Sequence, residues 1–556
     1  MVALALWLAA GTLSAGPAEP FDAETLRYFA ADRATMPPGE PARRRGPAGR
    51  YGFGSLPGSV QVNVIDGMNI FGDAANEPSL AVDPTNPNRM AIGWRQFDTV
   101  LSNFRQAGWA FSQDAGRSWV FPGVLEAKVF RSDPVLESSP DGVFYYNSLE
   151  ESFVCDLYRS TNHGQTWPES FPAFGGDKAW MAVDPTDGVG RGNLYCAWSS
   201  NAGCCGSSVF TRSLDGGATW MTPIAFSATP IFGTLDVGPK GEVYVCGRSP
   251  GSGSTFRVAR SDSVQNPADP SPSFDPVVTV NLGGSQLTSA PVNPAGLAGQ
   301  AWIAVDRSDG PWRGSVYMLC SVDPPGADPL DVNFIRSLDG GQTWSAPVRV
   351  NDDPPGTNAY QWFGTMAVAP NGRIDVIFND TRNSPTAQTS QLMYTYSYDG
   401  GHTWDANTIV SLPFDSHVGW PMQNKIGDYY DMVSDNVGAN VAYAATFNGE
   451  QDVYFLRIGE FDCNADGVPD PTDLLFGYST DFNGNGIPDE CDFLGDANCD
   501  DLVNLADIPP FVQLLVDPAG YAMTYPSCPP FRTDIDGSGL ADGADIRVFV
   551  RILLGP

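Results

Sequence analysis

The sequence predicts a mainly β fold: a β-propeller of seven four-stranded blades, alternatively six, followed by a small loop-helix domain. Three observations predict it. One eight-residue phrase is written five times, short apolar strands alternate with Gly- and Pro-rich turns between the copies, and the last hundred residues change to a dense acidic grammar.

The phrase is "SQDAGRSW" at 112–119, "STNHGQTW" at 160–167, "SLDGGATW" at 213–220, "SLDGGQTW" at 337–344 and "SYDGGHTW" at 397–404. Its tryptophans are 48, 53, 124 and 60 residues apart, and the long gap holds two units, one without the phrase. A period of about 40–60 residues with four strands per unit marks a propeller. The inner strands read "EPSLAVDP", "AWMAVDP", "AWIAVDR" and "QWFGTMAVAP", and the units begin near Glu77, Asp133, Lys178, Pro230, Gln300, Gln361 and Gly427. Unit seven supplies three strands, so "VQVNVID" at 60–66 is expected to close the ring beside it, leaving no free sheet edge. Within the phrase each residue has a local task. The Asp carboxylate accepts backbone N–H groups of its own turn, the glycines allow positive φ, and the Trp buries a large ring. The phrase is therefore read as scaffolding.

Residues 60–458 resemble the sialidase superfamily of propellers, whose Asp boxes, or BNR repeats, these phrases match. The resemblance implies an extracellular glycan as ligand and a site on the face away from the boxes. It implies three arginines holding a carboxylate, a Tyr nucleophile activated by a Glu, and an Asp acting as acid and base. The pattern carries over in part. Asn76 stands where the first Arg belongs, with Arg95 as a substitute and Asp98 as candidate acid. Arg248 in "GEVYVCGRS" and Arg382 in "NDTRN" are the other substrate-binding candidates, and Tyr429 or Tyr430 in "GDYYDM" the nucleophile. Phe232 occupies the Glu position and cannot take a proton. Asp98, Asp177, Asp380 and Asp428 are loop-face carboxylates for hydrolysis of another glycan. His163, His402 and His417 form no spaced metal set. Cys204 and Cys205 could pair with each other or with Cys155.

From Asp462 onward, four twelve-residue loops place oxygen side chains at alternating positions, as a hard cation such as Ca2+ requires. The candidate ligands are Asp462, Asn464, Asp466 and Asp473; Asp481, Asn483, Asn485 and Asp492; Asp496, Asn498, Asp500, Asn504 and Asp507; and Asp534, Asp536, Ser538, Asp542 and Asp545. The first two loops resemble thrombospondin type 3 repeats. The last two, each running into an apolar helical segment, resemble a dockerin, which implies a cohesin-like or surface-protein partner. With that resemblance go bridges Cys499–Cys528 in the dockerin-like unit and Cys463–Cys491 in the linker.

The formal charge of −33 sets nucleic acid aside as a partner. Residues 1–18 read as a secretory signal, too short to span a membrane, and the chain is expected outside the cell. The domains expected are 1–18 signal peptide, 19–59 flexible lead-in, 60–458 propeller, 459–494 calcium-binding linker and 495–556 dockerin-like unit. The leading functional reading is a carbohydrate-binding propeller tethered through its tail. The alternatives are a glycoside hydrolase, sialidase or other, and a structural or adhesion protein that binds protein.

Overall fold

The computed structural model describes residues 56–65 and 67–479 except 201 and 385, with parts of 22–53 and 481–554. The apolar start at 1–18 lies outside the described residues.

Seven antiparallel sheets form the ring. Their inner strands are Ala74–Val82, Ser132–Ser138, Trp180–Val183, Leu235–Val237, Trp302–Val305, Gln361–Val368 and Asp431–Ser434. Six blades build outward in sequence order, and the seventh takes its outer strands from the other end of the chain. There Leu56–Gln61 pairs with Asp452–Gly459 in the register Ser59↔Leu456, Val60↔Phe455 and Gln61↔Tyr454. Closure is as expected, but the closing strand starts earlier than 60–66. Asn63 leaves the ladder because its side chain donates to Asp452 Oδ1 at 2.6 Å and accepts from Val453 N at 3.2 Å. The lead-in is not irregular throughout: Arg50–Phe53 adds a fifth strand to blade 7, and Arg44–Pro47 pairs with Met68–Phe71.

The repeated phrase makes one turn, although only Trp119 and Trp344 of its five tryptophans donate through Nε1. In blade 5, Asp339 Oδ1 accepts from Thr343 N at 2.8 Å and Gln342 N at 3.1 Å, while Oδ2 accepts from Thr343 Oγ1 at 2.6 Å. Ser337 Oγ accepts Gly341 N at 2.8 Å, and Trp344 Nε1 donates to Gly341 O at 3.0 Å. The second glycine is needed for its positive φ, and in most boxes also for space, although at Gly341 a Cβ would only touch Tyr244 at 3.4 Å. At Gly401 φ is +75°, and a Cβ there would lie 2.2 Å from Phe334 of the preceding blade. Gly217 meets Leu157 in the same way, and Gly116 meets Phe455 across the ring closure. Each box is thus seated on the blade before it. Blade 4 lacks the phrase, and there Arg212 of blade 3 holds the turn instead, donating to the carbonyls of Val264, Asn266 and Asp269 at 2.6–2.9 Å.

The tail carries the helices Ile508–Val516 and Asp545–Leu554 and two disulfides, Cys463–Cys491 and Cys499–Cys528. It rests on the box side of blade 1. Arg117 pairs with Asp470 at 3.0 Å and lies over the Phe461 ring, and Asn88 Nδ2 donates to Cys463 O at 3.1 Å. No described helix is long and apolar enough to cross a membrane.

Replacing Asp339 by Ala strips these turn bonds without opening a cavity. The expected cost is about 1–3 kcal/mol in urea unfolding, with the native far-UV spectrum retained.

Candidate functional site

Antiparallel blades give the ring two unlike faces. Turns between strands one and two and the boxes between three and four open on one face. Connections between strands two and three, and from blade to blade, open on the other, here called the loop face.

At the loop-face end of the axis the inner strands begin with a bulge, and its residue takes positive φ in five blades: Glu77, Asp133, Lys178, Phe232 and Phe363, at 45–56°. Left-handed conformation is unfavourable for such side chains and persists only where the surroundings enforce it. Three of the five are charged and meet on the axis. Lys178 Nζ lies 3.0 Å from Asp133 Oδ2, 3.2 Å from Asp177 Oδ1 and 3.1 Å from Asp428 Oδ2. Lys425 Nζ lies 2.7 Å from Asp428 and 3.7 Å from Glu77, and Arg95 Nε lies 3.1 Å from Glu77. All seven residues are buried. Four carboxylates face three cations, so one proton leaves the group neutral. Burial favours Glu77 for it, pushing that carboxyl up to about 8 despite Arg95. Asp428, whose burial is outweighed by Lys178 and Lys425, is held well below the usual carboxylate range. Leu297 N caps the group by donating to Asp428 Oδ1 at 2.8 Å, and Leu297 packs with Phe232, Ile231 and Ala202 above it.

The predicted site residues divide around this hub. Arg95 belongs to it, locked between Glu77 and Asn76. Asp98 sits in the adjoining loop, bound to Gln106 Nε2 at 2.8 Å and Lys128 Nζ at 2.5 Å. Arg248 is buried in blade 4, where it donates to Gln286 O and pairs with Asp22 at 3.5 Å. Arg382 pairs with Asp380 at 2.8 Å and with Asp352. Each arginine therefore has a different carboxylate, and the expected three-arginine grip on one ligand is not assembled. Tyr429 is buried beside Trp180 and donates to Pro134 O at 2.9 Å; Tyr430 donates to Ala444 O at 2.6 Å. Burial, with Glu77 and Asp133 next, raises the Tyr429 phenol well above its ordinary value, and burial raises Tyr430 too. Neither is poised as a nucleophile. Among the other carboxylates, Asp177 and Asp428 lie in the hub and Asp380 beside Arg382. Cys204 and Cys205 are free thiols, as is Cys155.

Sequence reasoning missed Glu77, Asp133, Lys178 and Lys425, because they come from blades 1, 2, 3 and 7 and share no spacing. The recurrent residue near the start of each inner strand was the available signal for Glu77, Asp133 and Lys178.

Among the described residues, cavities open on both faces. The axial channel on the box face, about 600 Å³, is lined by aliphatic side chains with Trp180, Trp302, Glu137, Asp236, Arg307 and Asp431. Burial and the neighbouring Asp431 and Asp236 hold Glu137 well above the usual range, and burial pushes Asp431 up to about 6. The second cavity, about 680 Å³, lies on the loop face between blades 5 and 6. Tyr360, Asn358, Asn383, Thr357, Ser384 and Arg382 line it with Asp352 and Asp353. Its one arginine is already neutralised, which sets an anionic ligand at a disadvantage there.

In the tail, the donor atoms are all oxygens, as suits Ca2+. Asp462 accepts from Asp466 N and Gly467 N, which curls the first loop around its own acids. Asp507 accepts Ala497 N at 2.9 Å and Asp545 accepts Ile535 N at 2.7 Å, so position twelve bonds position two in both halves of the duplicated unit. Arg532 occupies one oxygen of Asp496 at 2.6 Å. Asn483, Asn485, Asp492, Asp500 and Asp536 lie outside the described residues.

No family model and no curated protein matches the chain. Solved structures similar to it include a fungal alcohol oxidase, 12% identical over 77% of this chain and 79% of that one, TM-score 0.42. Another is the endosialidase of phage phi92, 10% identical over 70% and 68%, TM-score 0.37. A third is an ulvan lyase, 13% identical over 70% and 95%, TM-score 0.34. Likenesses this distant carry no argument about chemistry.

Glu77 binds its proton more tightly folded than unfolded. The stability this contributes is complete below about 4.5 and is lost as pH rises towards 8. Thermal stability should therefore fall from pH 5 to pH 8, and Glu77→Gln should flatten that decline. Lys178→Ala, which strands the carboxylates it joins, is expected to cost about 3–5 kcal/mol.

Proposed function

We propose that this protein is an extracellular carbohydrate-binding propeller that takes a neutral saccharide in the loop-face cavity between blades 5 and 6. The observation that carries the reading is that cavity's chemistry. Tyr360 offers a half-buried aromatic face, the exposed amides of Asn358 and Asn383 offer paired donors and acceptors, and Arg382 is charge-balanced by Asp380 and Asp352. A sugar ring has apolar C–H faces and a rim of hydroxyls, which such a mixture fits. A sialic acid would bring a carboxylate next to Asp352 and Asp353, so the reading departs from sialidase chemistry. The capped phenols of Tyr429 and Tyr430 and the separately paired arginines support binding rather than turnover.

The tail is proposed to bind Ca2+ through the acids at 462–545 and, as a dockerin-like unit, to tether the chain to a surface or scaffold protein. Secretion is part of the same reading. Two disulfides outside the propeller and the all-oxygen tail loops support it.

On a glycan array the protein is expected to retain neutral oligosaccharides and release no product. Tyr360→Ala and Asn383→Ala should each weaken binding at least tenfold by calorimetry with unchanged melting temperature. Retention of sialosides alone, or undiminished binding by both variants, would refute the site. Chelating Ca2+ should speed amide exchange in the described parts of 462–545, because crowded carboxylates then repel.

A further inference from the structure

We propose that the axial channel on the box face is a second binding site, independent of the saccharide cavity, and that it takes an organic ammonium ion, a primary amine carried on an apolar body. The channel encloses about 600 Å³, within the range of about 300–1,000 Å³ usual for small-molecule sites. Its inner end lies toward the hub. There Trp180 and Trp302 stand with ring centroids 5.1 Å apart, and Trp180 lies 5.2 Å from Tyr429. Leu80, Val135, Ile303 and Met366, each from a different blade, line the wall. Aliphatic walls above two indoles suit a hydrocarbon body.

The charged residues of the channel select the rest of the ligand. Arg307 is already matched: its Nη1 lies 2.6 Å from Asp236 Oδ1 and donates to Val237 O at 2.6 Å. Asp309 is matched by Arg313 at 3.3 Å. Asp431 is bonded within the wall, accepting from Ser79 Oγ at 2.7 Å and Leu80 N at 2.9 Å. Ser79 Oγ in turn accepts Leu136 N at 2.9 Å, which ties the backbone next to Glu137 to the Asp431 carboxylate. Glu137 is half-buried in the channel wall. Among the described residues, no side chain donates to it and no Lys or Arg is ion-paired with it. Its carboxyl is therefore the channel's open acceptor.

With Arg307 and Asp309 each balanced, Glu137 and Asp431 make the channel complementary to positive charge. An ammonium brings three N–H donors to Glu137, and the faces of neighbouring indoles favour the same sign. The acids register that preference too, since burial holds both above the usual carboxylate range. A hydrated metal ion would leave its water against an apolar wall, whereas the hydrocarbon of an amine covers it.

The test is titration calorimetry at neutral pH on the full chain, with phenethylamine as probe and phenethyl alcohol as its neutral counterpart. The amine is expected to bind at least tenfold more tightly than the alcohol. Glu137→Gln, which keeps the size of the side chain, should weaken amine binding at least tenfold, and Tyr360→Ala in the loop-face cavity should leave it unchanged. No binding of the amine, or equal affinity for amine and alcohol, overturns the proposal with the wild type alone. Undiminished amine binding by Glu137→Gln does the same, and loss of it in Tyr360→Ala would move the amine to the other face and overturn the site.

Discussion

A propeller blade cannot bury both faces by itself, and the whole molecule depends on each sheet finding the next around a closed circle. In this chain the dependence is met at three radii. Near the axis, charges from blades 1, 2, 3 and 7 interlock through Lys178 and Lys425. Between the sheets, apolar side chains fill the gaps. At the rim, the boxes lower their second glycine onto the preceding blade, and at Gly116, Gly217 and Gly401 a Cβ would strike Phe455, Leu157 or Phe334. The repeated phrase is therefore a seam between neighbours rather than an ornament of one hairpin, and Arg212 shows the seam kept where the phrase is lost.

The hub has consequences for function. Buried ionic groups of this size are rarely a net gain in stability, because desolvation consumes the attraction. They do specify arrangement strongly, since any other pairing leaves a charge stranded. Here they fill the place on the loop face where a ligand's charge would have to go. Leu297 and Phe232 then seal the top. Open space is left at the periphery of that face, between blades 5 and 6, and in the channel on the opposite face.

Acid is distributed by the same logic. Where carboxylates are buried with cations, as at Asp428, they are held below the usual carboxylate range; where they are buried without them, as at Asp73 and Asp452, burial holds them above it. The tail carries its own acids in short loops, several of them buried, as Asp496, Asp507 and Asp545 are. Its position on the box side of blade 1, held by Arg117, leaves the loop face clear.

The sequence by itself determined the repeat and the circular closure, because each is written in local or periodic signals: a turn that needs Asp and Gly, an apolar strand. Only the structure decided for seven blades over six and showed the Cys463–Cys491 and Cys499–Cys528 pairings that the tail's resemblances implied. It also marked the tail as a run of oxygen-rich loops. It could not determine which charged residues meet. Arg95, Arg248 and Arg382 sit at plausible strand positions, yet each found a different carboxylate, one of them from residue 22. Glu77, Asp133, Lys178 and Asp428 are hundreds of residues apart at the extremes and become neighbours only when the circle shuts. Contacts across the axis of a ring depend on the angle and register of every blade between them, and no local pattern encodes that.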